Sequence, residues 1–209
     1  MAAVQDGVTA FAQAAAKDGI ALELQSFDWA SEPGHLAVDE LADETGDPGV
    51  MQRAEIGVAA LGQIFNGLNG LMPVLQSCRV NRPFTPVLVH EPTLTIVEVD
   101  DVLHFTTHRL QSLDSYPREV RVGFDIEEYK ELCRTHAAQT DKWRFGLASK
   151  CFGWHGLQRE RAYQDAVRDI AAWVMGYPPL VRIAAIDDDG DGTAAYERAR
   201  DELRSRLGA

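Results

Sequence analysis

The sequence predicts an α/β fold, an α+β mixture in which helices flank a mixed sheet. Three observations lead there. Apolar stripes at helical spacing recur at residues 3–18, 50–66 and 157–175. Short β-branched runs stand at 85–89, 94–99 and 180–186. The overall order is helix, strands, helices, strand rather than strict strand–helix alternation, and neither GxGxxG nor GxxxxGK[ST] occurs.

Taken in order, Val4, Val8, Phe11 and Ala15 define one face of the first helix, and residues 20–24 read as a short strand. Residues 26–49 contain SEPG and DETGDPG with few large apolar side chains, so they read as an acidic loop. The helix at 50–66 stops at the Asn-Gly pairs of FNGLNG. Residues 74–80 read as a further strand, before the two joined by HEPT. Residues 105–113 form a helix ended by Tyr116-Pro117, and 120–124 read as a strand. Asp125 caps the next helix, with Glu128 three residues on. After Gly153–Gly156 comes the helix at 157–175, then the last strand and a charged helix from 194 to 207.

A chain of 209 residues with 45% hydrophobic and 25% charged residues suits one well-buried domain. The reading divides it into an N-terminal helix and acidic loop (1–49), a core (50–186) with an insertion at 106–156, and a tail (187–209). No apolar run approaches the ~20 residues needed to cross a bilayer, so no membrane partner is expected. Three widely spaced cysteines, Cys78, Cys133 and Cys151, point to reduced thiols in a cytoplasm.

The net charge of −12 is unevenly placed: residues 1–50 hold ten acids against Lys17 alone, and the remainder holds 22 acids against 19 bases. A basic field of the kind that drives duplex binding is absent. Nucleic-acid binding is therefore expected to be weak and local. The acidic segment suits a basic protein partner.

The sharpest local pattern is IVEVDDVLHF at 96–105. Glu98 and Asp100 are two apart on a strand and share a face. Adjacent carboxylates repel unless a cation lies between them. Hard oxygen donors suit Mg²⁺ or Mn²⁺, which would activate water at a phosphate. His104, just past the strand, is placed to act as a base. The plainer reading is a strand end with two solvated acids and a capping histidine. A second pattern, RERAYQDAVRD at 159–169, puts Arg161, Asp165 and Arg168 on one helical stripe. Such a stripe either holds phosphate or is a solvated, salt-bridged helix face.

Together these segments resemble the PD-(D/E)xK restriction-endonuclease-like superfamily, in the branch related to very-short-patch repair endonuclease. IVEVDDVLHF is similar to its IE(V/L)DGxxHF strand, and RAYQDAVRDIAAWVMGYPPLVRI to its RxxxDxxRDxxL…GYxVLRI segment. The likeness covers about residues 50–105 and 157–184. It implies a core with helices flanking a central sheet, and metal-dependent cleavage of phosphodiester bonds. In that scheme Glu98 and Asp100 bind the metal with help from Glu91, His104 is the base or water-positioner, and Glu55 and Arg168 act from flanking helices. The family's aspartate about ten residues before the glutamate has no counterpart in TPVLVHE, where only His90 or Glu91 stand in from the turn. Asp101 replaces the glycine after the aspartate. Two functions therefore stand side by side: a metal-dependent nuclease, or an inactive endonuclease-fold protein serving as an interaction or regulatory module.

Two other metal patterns compete. Asp187, Asp189, Asp191 and Gly192 match the start of a Ca²⁺ loop, but its twelfth position is Arg198. Cys133 with His136, and Cys151 with His155, have zinc-like spacing within each pair.

Overall fold

The structure, a computed structural model, describes residues 2–78, 82–143, 147–186 and 192–208. α1 (Ala2–Lys17) leads into β1 (Glu23–Gln25). β2 (Ser31–Glu32) and β3 (Arg82–Pro83) pair as a small separate ribbon. Between them lie α2 (His35–Thr45), α3 (Pro48–Gly67) and α4 (Met72–Gln76). β4 (Val87–His90) and β5 (Thr95–Asp101) follow, joined by a 3-10 turn at Glu91–Thr93. α5 (Thr107–Leu113), α6 (Ile126–Trp143) and α7 (Leu157–Val174) carry the chain to β6 (Val181–Ala185), and α8 (Gly192–Leu207) ends it.

The main sheet has the order β1-β4-β5-β6. Its first three strands are antiparallel, and β6 runs parallel to β5 with Glu98 opposite Arg182 and Asp100 opposite Ala184. A parallel neighbour needs a long crossover, and α5–α7 supply it. This is the expected α/β class: helices on both sides of a mixed sheet.

Strand alternation sorts the core. Leu88, Val97, Val99, Val181, Ile183 and Ala185 face α1 and α8, packing with Phe11, Ile20, Tyr196 and Leu203. Val87, Val89 and Ile96 face the other way, against Ile64, Phe65, Ala166 and Ile170 of α3 and α7. Glu98, Asp100 and Arg182 share that second face by the same alternation.

Several expected elements change. Residues 26–49 are not a plain loop, because α2 buries Ala37, Val38 and Ala42. Leu36 and Leu41 pack on the same core from partly buried positions, and the helix is short and lies between the SEPG and DETGDPG turn signals that mark the segment as a loop. Gly34 precedes it with φ +65°, and a Cβ there would overlap the Tyr163 hydroxyl. Residues 72–76 are helical rather than extended; Pro73 fits the first turn, where its missing N–H loses nothing. Residues 120–124 form no strand, and only Gly123 N–H donates to the Leu180 carbonyl, 2.8 Å, beside β6. Asp125 does cap α6, accepting from Glu127 and Glu128 N–H at 2.8 and 3.1 Å.

Candidate functional site

The carboxylates on β5 do not reach solvent as a free pair. Asp100 is fully buried, and both its oxygens accept from Arg182 Nη1, at 3.0 and 2.8 Å. The Tyr129 hydroxyl of α6 donates to the same carboxylate. Burial pushes Asp100 upward, but Arg182 and His104 outweigh it and hold the acid below the ordinary carboxylate range. Glu98, with a side chain 13% exposed, lies 3.0 Å from Arg168 Nε, although the two atoms are not aligned as a hydrogen bond. Burial raises the Glu98 pKa, and Arg168 and Arg182 only partly oppose this.

Local chain geometry delivers the histidine. Asp101, standing where the resembling family has glycine, accepts from Leu103 N–H at 2.9 Å. That cap forms the 3-10 turn Val102–His104 and folds His104 back over the strand end. Its Nδ1 sits 3.4 Å from Asp100 and 3.0 Å from Asp165. Burial lowers the His104 pKa, but the two aspartates overcome it and the net shift is upward.

α7 supplies the facing side. Asp165, Arg168 and Asp169 fall at i, i+3 and i+4, so they project together, and all three are buried. Asp165 Oδ1 has Arg168 Nη1 and Arg182 Nη2 each at 3.6 Å. Burial raises Asp165, yet His104 and Arg182 bring it well below its ordinary value. Asp169 accepts from Arg182 Nε at 2.8 Å, from Arg109 Nη2 at 2.7 Å and from the Tyr116 hydroxyl at 2.7 Å. Arg109 Nη1 donates in turn to Tyr116 at 2.9 Å. Arg168 is fixed further by the Thr85 carbonyl, 3.2 Å, and by the Phe84 ring, 5.4 Å from its guanidinium carbon.

The result is a buried network of four carboxylates (Glu98, Asp100, Asp165, Asp169), three guanidiniums (Arg109, Arg168, Arg182) and His104. With His104 protonated its formal charges cancel. Arg161 and Asp101, 3.6 Å apart, mark its partly exposed edge.

Of the residues expected to form a site, Glu98, Asp100, His104 and Arg168 are brought together. Glu91 is not: it sits in the β4–β5 turn, where it is exposed and accepts from Gln25 at 3.0 Å. Asp100 stands at the far end of β5, about 17 Å along the strand by the rise of ~3.3 Å per residue. Glu55 is exposed on α3 and is not a member of the network. The expected solvated strand end and solvated helix stripe are both buried instead.

Sequence reasoning assigned no role to Arg182, Asp169, Arg109, Tyr116 or Tyr129. Arg182 had a signal: an arginine inside the apolar strand VRIAA must find an acid. The two tyrosines carried none.

A divalent ion at Glu98 and Asp100 needs oxygens with lone pairs to give. Each carboxylate already meets an arginine, and a dication would overcharge a neutral cluster unless a guanidinium left. The donor set as arranged does not fit Mg²⁺ or Mn²⁺. Among the described residues, no group of three or more His, Cys, Asp and Glu is arranged around a metal position. Cys133 packs with Phe105, Leu113 and Tyr129, and burial pushes its thiol up to about 11; Cys151 is likewise pushed up to about 11. Neither is primed as a thiolate ligand. Asp187, Asp189 and Asp191 of the Ca²⁺-like loop lie outside the described residues.

Fold and site together define a class: an α+β protein whose mixed sheet is cross-braced to one helix by a buried ionic network. The chain belongs to a family of unknown function (DUF7255), which matches residues 63–204. That stretch contains every member of the network, while α1, α2 and most of α3 precede it. No curated protein and no solved structure matches the chain. No helix among the described residues is long and apolar enough to cross a membrane.

Proposed function

We propose that this chain is an endonuclease-fold protein whose metal-binding strand has become a closed ionic brace, and that it acts as a non-catalytic interaction or regulatory module. One observation carries this reading. Arg182 grips both oxygens of Asp100, the position that the resemblance to PD-(D/E)xK enzymes would give to a metal. The missing upstream aspartate agrees with it, since Glu91 is turned away from the strand end. A basic partner has one natural surface, the outward side of α2, where Asp39, Glu40, Asp43 and Glu44 are exposed. That surface is tested by charge substitution, because deleting 26–49 would also remove Trp29, Ala30 and Val38 from the core.

A metal-dependent nuclease is the second reading. It is favoured by Glu98, which keeps 13% of its side chain exposed and lacks an aligned hydrogen bond at Oε1. Calorimetric titration of Mn²⁺ into metal-stripped wild type and Glu98→Ala separates the two. The proposal expects no binding in either protein. Binding in the wild type that disappears in Glu98→Ala overturns it and restores the nuclease.

A further inference from the structure

Cys78 and Cys151 come from distant parts of the chain and are brought to one place. Cys78 follows α4, and its N–H donates to the Leu75 carbonyl at 3.1 Å. Cys151 packs against the same helix. Leu71, at the start of α4, donates its N–H to the Cys151 carbonyl at 2.8 Å. Leu75 and Cys151 also line one small cavity of about 20 Å³. Lys150, the neighbour of Cys151, reaches across to Cys78, where its Nζ donates to Sγ at 3.6 Å.

The two thiols have unequal surroundings. Cys78 is half-buried, while Cys151 is 8% exposed. Burial pushes the Cys151 thiol up to about 11; the charges of Cys78, Glu160 and Glu32 add to this, and Lys150 opposes it. Charge on one sulfur is therefore felt at the other. The turn that carries Cys151 is fixed. Ser149 and Gly153 exchange backbone hydrogen bonds, both 2.8 Å, and Arg159 Nη2 donates to the Phe152 and Trp154 carbonyls at 2.7 and 3.1 Å. Cys133 stands apart, fully buried among Phe105, Leu113 and Tyr129.

We propose that Cys78 and Cys151 form a modification site, in which a hydroperoxide oxidises Cys78 and Cys151 closes the product into an intramolecular disulfide. Cys78 is the accessible sulfur, and the Lys150 ammonium stands where it can hold an anionic one. In the first step the Cys78 sulfur attacks one peroxide oxygen. The O–O bond breaks, a sulfenic acid forms, and with the thiol proton the second oxygen leaves as water. In the second step the Cys151 sulfur attacks the Cys78 sulfur. The S–O bond breaks, and the hydroxyl takes the Cys151 proton and leaves as water. Two thiols are oxidised by two electrons and one peroxide is reduced. A dithiol reductant reverses the bond by exchange. The reduced thiols expected from the sequence are then the resting state, and the disulfide is the transient, redox-sensing one.

The test treats the folded full chain with hydrogen peroxide and follows intact mass and unreduced peptide maps. A disulfide needs its two Cα atoms within about 7 Å, so bond formation in the folded chain tests the geometry directly. A loss of two hydrogens is expected, with a Cys78–Cys151 peptide pair that dithiothreitol releases and Cys133 unmodified. Cys151→Ala should leave Cys78 as a sulfenic acid that dimedone captures. Cys78→Ser, at a half-buried position, should abolish the mass change while circular dichroism stays as in the wild type. Lys150→Gln should slow the reaction about two- to fivefold, the worth of an exposed charge pair, and Lys150→Arg should restore it. Dimedone capture of Cys78 in the wild type without the bridge overturns the proposal. A bridge to Cys133, or a dimer linked through Cys78, overturns it equally.

Discussion

On one face of the sheet, Leu88, Val97, Val99, Val181 and Ile183 pack under α1 and α8 with no charge among them. On the other face of the same strands, Glu98, Asp100 and Arg182 meet Asp165, Arg168 and Asp169 of α7. Both faces are buried. The apolar face is stabilised in proportion to area removed from water and tolerates small changes of shape. The ionic face must overcome the desolvation of its charges, so it is stable only while every partner is present. What it offers in exchange is register, since a one-residue slip of β6 would carry Arg182 into the apolar layer.

The largest effect should come from breaking the ionic face at its centre. Arg182→Met leaves Asp100 and Asp169 without their main counter-charge, and should cost about 3–5 kcal/mol in urea denaturation. A loss under about 1 kcal/mol would show that the network is not closed. Leu88→Ala, on the apolar face, should cost about 2–4 kcal/mol through the cavity it leaves, by a similar amount at every pH.

The pH response should then separate the two faces. His104 has its folded pKa raised above the ordinary 6.5, so its contribution is complete below that value and is lost as pH rises through the folded pKa. Asp100 and Asp165 are lowered from 3.8, so theirs is present above that value and is lost as pH falls through the folded pKa. Wild-type stability should therefore fall on both sides, and His104→Gln should flatten the alkaline limb. An unchanged alkaline limb in that variant would remove His104 from the network's charge balance. The smallest effect is expected at Glu91, exposed in its turn. Glu91→Ala should stay within about 0.5 kcal/mol of wild type and leave any Mn²⁺ titration unaltered.

Much of the ionic face could be read from the sequence, because spacing alone sets which side chains share a surface. Glu98 and Asp100 follow from strand alternation, and Asp165 with Arg168 from helical spacing. What spacing does not encode is what lies across the gap. Asp100 and Arg182 are far apart in sequence, and nothing local to either names the other. The acids were therefore read as partners for a metal or for solvent, whereas the fold supplies arginines. Tyr129 and Arg109 were missed for the same reason, since they come from the segment read as an insertion. The α2 helix escaped because its few turns are flanked by SEPG and DETGDPG, whose turn signals outweigh a short stripe, and α4 because its Val and Leu fit a strand pattern as well as a single helical turn.

The crossover gives this network an order of assembly. β6 is the last strand among the described residues, and everything Arg182 holds has been laid down before it. A chain that ends before β6 carries Asp100, Asp165 and Asp169 with too few cations to face them, and its crossover helices have no parallel strand to close upon. Contacts so distant in sequence are entropically slow to form. Arg182 is thus the clasp of the network: of its members it comes last along the chain, and its bonds report that the earlier ones are in place.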